Sequence, residues 1–536
     1  MQKLTNLRDR RVLVAWVVMT VAAFLLAVPT VRDTGLDYDE ALYGHLARDF
    51  LQARHCPQHM PGSSSVEIGG RPFPVFVQGY LGAIKCWLLL PSFVLFGSSI
   101  STMRFTMLAG GALAILFLML WVRRIRGDAE AILVGLLTFS DPGFFFPTVC
   151  DWGAFVPSFL FRCLGLYLFA LWWVRRRIGW IVLAGGAFGL GFFNKIDFVI
   201  FLFAAGAAAG LSQPQQAIQS FRREKWQWFA GALTFLFAGG LMVFSCFHWL
   251  RGLLAVPAGA AQGQLLTKLH VAAAVLDGSY FLRLMQAGGM FDRMFESSGG
   301  LFTPLALVLS IAVIVRISLA ARKAQPEERK WTIFLLAGLV ISTAGFFLCP
   351  DAVRIHHFLL VYPFPQLLMA AAATCVWRRA SRAVAWERVA RTIVIALVML
   401  VVCNNLAAVR KTQRFVSTTG GRGTWSKALE LFARDLGTRA DLVVGSLDWG
   451  FHEQLSFLSN GPQLYELTWN IQQGVPVKLL RETNFLYLLH PPEFSLFDYG
   501  ETYLAAARRA DPALLVESRT NAEGRIVFQY FRFTTR

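Results

Sequence analysis

The chain has 536 residues, 55% of them hydrophobic and 16% charged, and its mean hydropathy is +0.50. That much apolar surface exceeds what one soluble core can cover, which excludes an ordinary globular protein and leaves a polytopic membrane protein. Lys and Arg number 51 against 33 Asp and Glu, and the net +18 falls in short loops between apolar runs, so it reads as topology and contact with anionic membrane lipids, with no nucleic-acid partner.

A helix needs about 20 residues to cross ~30 Å of hydrocarbon. Apolar runs of that character fall at 12–31, 105–122, 129–147, 155–174, 178–193, 197–211, 229–249, 301–318, 332–349, 358–376 and 392–409, which predicts about eleven spans. Basic clusters mark every second loop: Lys3 to Arg11, Arg123 to Arg126, Arg175 to Arg177, Arg222 to Lys225, Arg322 to Lys330 and Arg378 to Arg391. Positive short loops stay on the cytoplasmic side, so the N-terminus is expected inside and the C-terminus outside. The first run is long and lacks a small-residue cleavage site, so it is expected to remain as an anchor. The eight cysteines are scattered without CxxC spacing, and neither a disulfide framework nor a zinc site is expected.

The long outer loops, 32–104 and 250–300, place function on the outer face. Just beyond the first span, LDYDEALYGHLARDF carries Asp37, Asp39 and Glu40. Asp37 and Glu40 have the spacing of a capping box, and Leu42, Tyr43, Leu46, Ala47, Phe50 and Leu51 recur at helical spacing, which predicts an amphipathic helix at the membrane surface. Capping leaves Asp39 without a structural task. A carboxylate there can accept a proton from a nucleophile or hold a cation.

Three further turns add charge to the same face. Asp151, between Pro147 and Pro157, is either an N-cap for the fourth span or a second acidic site residue. Lys195 and Asp197 interrupt the apolar stretch 178–211 in a turn expected to be recessed; they either pair with each other or leave the lysine for a phosphate. PDAVRIHHFLLVYPFP sets Arg354, His356 and His357 at the mouth of the tenth span, where they suit either interfacial anchoring or a lipid phosphate. Residues 1–410 thus form the membrane domain. Residues 411–536 lose the apolar runs and read as a small extracytoplasmic α/β domain, with a helix at Trp425 to Leu436, strands at 441–446 and 485–489, and a closing hairpin through Asn521 to Gly524. In it, SLDWGFHEQL carries Asp448, Trp449, His452 and Glu453 after a strand end, as an acceptor site or, preferably, an aromatic corner that docks this domain.

The order of span, DE-bearing loop and amphipathic helix, followed by GRPFPVFVQGYLGAIK and LFGSSISTMRFTMLAGG, resembles the GT-C membrane glycosyltransferases over roughly residues 10–410. Bacterial relatives of protein O-mannosyltransferases and of the lipid A aminoarabinose transferase are most similar. The resemblance implies a mainly α, polytopic GT-C bundle in a bacterial inner membrane. It also implies transfer of a sugar from a polyprenyl-phosphate donor, with inversion, to a glycan, lipid or protein hydroxyl. Asp39 matches the family's catalytic base or acceptor-orienting residue, Asp151 a second acidic residue, and Glu40 lies beside them; Arg104 falls where many members have an Arg at the start of span two. Lys195, Arg354, His356 and His357, with Lys85 and Arg104, would bind the donor phosphate, and Asp37 would border it. Apart from the resemblance, Asp37, Asp39 and Asp151 leave open a divalent cation, Mg²⁺ or Mn²⁺, which such a cluster fits only loosely; no other cofactor is expected. QGYLGAIK departs from the Pro-Pro-Leu-like segment of many relatives, so the sugar is not carried over. A lipid or solute transporter, or an envelope polymer ligase or assembly protein, is the alternative.

Overall fold

The structure, a computed structural model, describes residues 2–55, 62–150, 152–253, 264–290, 294, 302–320, 326–349, 354–380, 387–468, 471, 481–482, 484–495 and 499–534. It is mainly helical. Among the described residues, seven helices are long and apolar enough to cross a membrane, or up to ten if each of three bent pairs counts as one span. Seven of the eleven predicted runs are spans by themselves; α8 (Ile178–Asn194) and the run at 301–318 are shorter apolar helices, the run at 197–211 qualifies only with the helix that follows it at a 105° bend, and the run at 129–147 is two helices, α5 (Asp128–Ser140) and α6 (Pro142–Val149), bent by 62°. The bend has a local cause. Asp141 accepts from the Gly143 N–H at 2.7 Å and so caps α6, while Tyr362 and Gln366 donate to its other oxygen at 2.9 and 2.6 Å.

From the first span α1 (Gln2–Asp33) the chain turns directly into α2 (Tyr38–Gln52). The predicted capping box is present: Asp37 accepts from the Asp39 N–H at 3.0 Å, and Glu40 accepts from the Asp37 N–H at 3.1 Å. The helix does not lie at a surface, however. Its residues from Tyr38 to Asp49 are buried apart from Asp39, because an antiparallel sheet (β1 Ser64–Ile68, β2 Arg71–Gln78, β3 Leu81–Gly82) and α3 (Ile84–Phe96) cover one side and the C-terminal domain covers the other. An amphipathic pattern fixes only that one face is apolar; a polar face is buried where partners satisfy it. Here they do: Arg48 donates to the Phe457 and Ser459 carbonyls, and Gln454 donates to the Leu36 carbonyl.

Glu40 is held more firmly still. Arg104, on α4 (Ile100–Arg126), meets its two oxygens at 2.8 and 2.6 Å and also donates to the carbonyls of Val31, Thr34 and Gly35, all with both side chains fully buried. At the other end of α4, Glu130 is bonded by Arg126, Trp331, Thr374 and Arg378. The bundle therefore has one buried carboxylate clamp at each end.

The last long helix, α18 (Glu387–Thr419), runs ten residues beyond the predicted span 392–409. After it, a five-stranded sheet has the order β5-β4-β6-β8-β7, with β4 (Val443–Ser446), β5 (Gln463–Glu466) and β6 (Phe485–Leu489) parallel, and β7 (Leu515–Thr520) and β8 (Ile526–Arg532) antiparallel. Two apolar clusters, one around Phe432, Leu455 and Phe528 and the other around Tyr487, Leu504 and Phe531, cover its faces.

Removing one partner of a dry ion pair strands the other, at a cost of about 3–5 kcal/mol. Arg104→Ala and Glu40→Ala are expected to lower the yield of monodisperse protein and the Tm sharply. A variant that purified and melted like the wild type would show the pair to be dispensable for folding.

Candidate active site

Five turns converge beside the N-terminus of α2. Asp39 is the only half-exposed carboxylate of the three there, and among the described residues none donates a hydrogen bond to it. Opposite it runs the turn 152–154. Gly153 has φ +58°, and a Cβ built on it would stand 3.8 Å from the Asp39 carboxylate, so the backbone passes close under this group. Asp151, the predicted second acidic residue, lies outside the described residues.

Lys85, at the start of α3, is fully buried; its ammonium donates to the Gly153 carbonyl at 2.8 Å and stands 4.3 Å from the Tyr43 ring centre. It thus holds the 152–154 turn and lies close enough to act electrostatically on Glu40. Asn194 ties the same turn to the next, donating to the Ala154 carbonyl and to Ser158, each at 2.9 Å.

The recessed turn at 195–197 joins the β-sheet as well as the bundle. Lys195 bridges Leu81, and Ile196 N–H donates to the Tyr80 carbonyl. Gly82 permits the approach, since a Cβ there would sit 2.2 Å from the Phe193 carbonyl oxygen. Lys195 pairs with Asp197 at 2.7 Å, the first of the two expected outcomes, and both are buried. On the other side, Arg354 precedes α16 (Ile355–Phe358), which carries His356 and His357 with ring centres 4.1 Å apart. Lys195 and Arg354 lie within electrostatic reach of both rings, and Arg354 also acts on Asp37. The structure therefore brings the four residues predicted for the phosphate together near the acidic end of α2, with Lys195 and Arg354 as the fixed cations and the two His beside them.

The predicted site splits into two sets. Asp37, Asp39, Lys85, Lys195, Arg354, His356 and His357 surround one region; Glu40 and Arg104 are committed to each other one helical step deeper. No third carboxylate, His or Cys among the described residues joins Asp37 and Asp39 in a group that could hold a metal. The segment 448–453 docks the C-terminal domain: Trp449 packs on Tyr38 with centroids 4.2 Å apart, Asp448 pairs with His490 at 3.2 Å, and Tyr38 hydrogen-bonds Glu453.

Three residues at this site were not singled out in the sequence. Lys268, on α12 (Gln264–Leu276), donates to the Phe347 and Cys349 carbonyls and acts on His357. Arg162, buried in α7 (Phe155–Arg175), donates to the Leu359 carbonyl at 2.8 Å and lies within reach of Asp197, which links the two cationic turns. A lone arginine in the apolar run SFLFRCLGLYLF is a signal of that kind. Trp152 donates from its indole N–H to His356 Nδ1 at 3.0 Å.

Burial and the neighbouring Asp39 push Asp37 up to about 8, while Arg354 pulls the other way. Burial and then Asp39 raise the Tyr80 phenol to about 12. Asp37 thus holds its proton to higher pH than an ordinary carboxylate. Because its value is raised, the stability it contributes is present at low pH and is lost as pH rises through about 8. Asp37→Asn mimics the protonated form and also caps helices, so thermal melts between about pH 4 and pH 8 should show a smaller loss of Tm in this variant than in the wild type. Glu466, also raised to about 8 by burial and Glu453, leaves a residual slope. Equal slopes in both proteins would mean that Asp37 is ionised throughout.

Over residues 84–245 the sequence matches the family described as dolichyl-phosphate-mannose-protein mannosyltransferase. No curated protein matches the chain. Among solved structures, ArnT from Cupriavidus metallidurans in the apo state is similar with a TM-score of 0.54 at 14% identity, covering 96% of this chain and 97% of that one. The same protein bound to undecaprenyl phosphate gives 0.48 at 15% identity, with 96% and 98% covered. The apo oligosaccharyltransferase of Archaeoglobus fulgidus gives 0.48 at 14% identity, with 84% of this chain and 64% of that one covered. The fold rests on the first of these, which spans membrane helices and C-terminal domain alike. The chain therefore has the fold of ArnT, and its segment 84–245 carries the match to the mannosyltransferase family.

Proposed function

We propose that the protein transfers a sugar from a polyprenyl-phosphate donor to a hydroxyl of a glycan, lipid or protein acceptor on the outer face of the membrane. The observation that carries this reading is the placement of one half-exposed carboxylate, Asp39, across from a cluster of Lys195, Arg354, His356 and His357. The donor reaches the site laterally from the bilayer, and the cationic cluster binds its phosphate. Asp39 takes the proton of the acceptor hydroxyl, whose oxygen forms the new bond to the anomeric carbon from the face opposite the phosphate. The old carbon–oxygen bond breaks, and the electron pair departs with the polyprenyl phosphate, giving inversion.

A phosphate leaving group already carries charge, so it needs cationic stabilisation more than a proton. This fits a site with one half-exposed carboxylate and two fixed cations, Arg354 and Lys195, the latter exchanging Asp197 for the phosphate, better than the paired carboxylates of a hydrolase. Glu40 and Arg104 act one step back, by fixing the end of α2, and Lys85 does so through the Gly153 carbonyl. A transporter would need its charges along a pathway, whereas this cluster gathers at one end of the bundle.

Release of polyprenyl phosphate from a labelled lipid-linked sugar is the direct assay. Asp39→Asn should abolish release while leaving Tm and donor binding near wild type, since the amide keeps the shape and loses the basicity. Substantial turnover in this variant would remove Asp39 as the base. Arg354→Ala should raise the donor constant by roughly one to two decades, the equivalent of on the order of 1.5–3 kcal/mol for one charge-assisted contact. Unchanged constants in Arg354→Ala and Lys195→Ala alike would place the phosphate elsewhere. A cysteine introduced at Gly420 should react with an impermeant reagent applied outside, and one at Gly127 should not; the reverse pattern would put the site on the cytoplasmic face.

A further inference from the structure

An indole N–H only donates, so the imidazole nitrogen that meets it must offer a lone pair. Trp152 Nε1 stands 3.0 Å from His356 Nδ1, which leaves the ring proton of a neutral His356 on Nε2. Trp152 is itself tightly held. It is buried, stacks on Trp425 with centroids 5.2 Å apart, meets Phe281 edge-on at 5.6 Å, and its backbone N–H donates to the Pro147 carbonyl at 2.9 Å. The charged or titratable groups that act on His356 are His357 on its own helix, Arg354 before it and Lys195 from the neighbouring turn. Two of these are fixed cations, and a third charge on His356 would meet their repulsion.

We propose that Trp152 is a positioning residue that holds His356 as its neutral Nε2–H tautomer, so that this ring supplies the phosphate site with a hydrogen-bond donor and no further charge. The inference rests on the phosphate-binding reading above and adds the state of one ligand to it. Nothing else described in the structure reaches His356 Nδ1 with an obligate donor. The two aromatic rings packed against Trp152 come from α13 (Tyr280–Gln286) and the segment after α18, so the tautomer depends on how these elements pack against the 152–154 turn.

The test uses full-length protein in detergent and a polyprenyl phosphate as the probe, with binding measured between about pH 5 and pH 8, where histidine titrates. Trp152→Phe keeps the ring stacking and removes the N–H. It should weaken binding about threefold to tenfold at the upper end of this range, as the loss of one neutral hydrogen bond does. The deficit should close toward pH 5, because the released ring can then take a second proton and attract the phosphate by charge. His356→Gln, which keeps an amide donor near the Nε2 position, should stay within about threefold of wild type, and His356→Leu should lose about tenfold. A Trp152→Phe protein that binds like wild type at every pH, a deficit that is constant with pH, or equal losses in the Gln and Leu variants would each overturn the proposal. If Lys195→Ala and Arg354→Ala also bind normally, the phosphate reading fails with it; if they bind weakly while Trp152→Phe does not, only the role of Trp152 is lost.

Discussion

A carboxylate and a guanidinium, both shut off from water, hold the foot of α2 against α4, and the site is built outward from that pair. Such a pair gains little over a well-packed apolar contact, since its attraction is spent on desolvation, but it fixes geometry because neither member tolerates a shift. Arg104 spends its remaining donors on the carbonyls of Val31, Thr34 and Gly35, the residues that join α1 to α2. The turn out of the first span is thereby set, and with it the direction in which the Asp39 carboxylate emerges one residue before Glu40.

The cationic side is assembled differently. Lys195, Arg354, His356 and His357 come from two turns that are separated by more than a hundred residues and lie at the ends of helices. Arg162 connects them from beneath, through the Leu359 carbonyl and the field of Asp197. Asn194 and Trp152 then tie these turns, and Lys85 ties the start of α3, to the 152–154 backbone that passes under Asp39. The acidic and cationic halves share this short piece of chain, so their separation is determined by hydrogen bonds to it and not by the long helices alone.

Local features were legible in the sequence where local physics decides them. The spacing of Asp37 and Glu40 specifies the capping box, and the alternation around Asn521 specifies the closing hairpin, both of which the structure shows. The strands at 443–446 and 485–489 also fall inside their predicted segments. The pairing of Arg104 with Glu40 was not legible, because the partners are 64 residues apart and each alone looks like a ligand for substrate. Lys268 was hidden in a long loop that carried no periodic signal strong enough to name it. Strand β5, QLYE, was missed because it is four residues long and half-exposed at a sheet edge, where pattern is weakest. The sequence also misplaced α2 at a surface, since nothing in its polar face announces that a domain more than four hundred residues away will cover it.

That covering ties the site to the order in which the chain is made. Arg48 and its acceptors at Phe457 and Ser459 are 409 and 411 residues apart, so α2 leaves the ribosome among the first segments and waits for almost the whole polypeptide before its second side is closed. Until then Arg48 lacks its buried acceptors, and Tyr38, the neighbour of Asp39, lacks Trp449 and Glu453. A chain that ended between His357 and Trp449 would carry the candidate site residues but not the packing that fixes the acidic end. The last domain thus completes the packing of an element near the start of the chain.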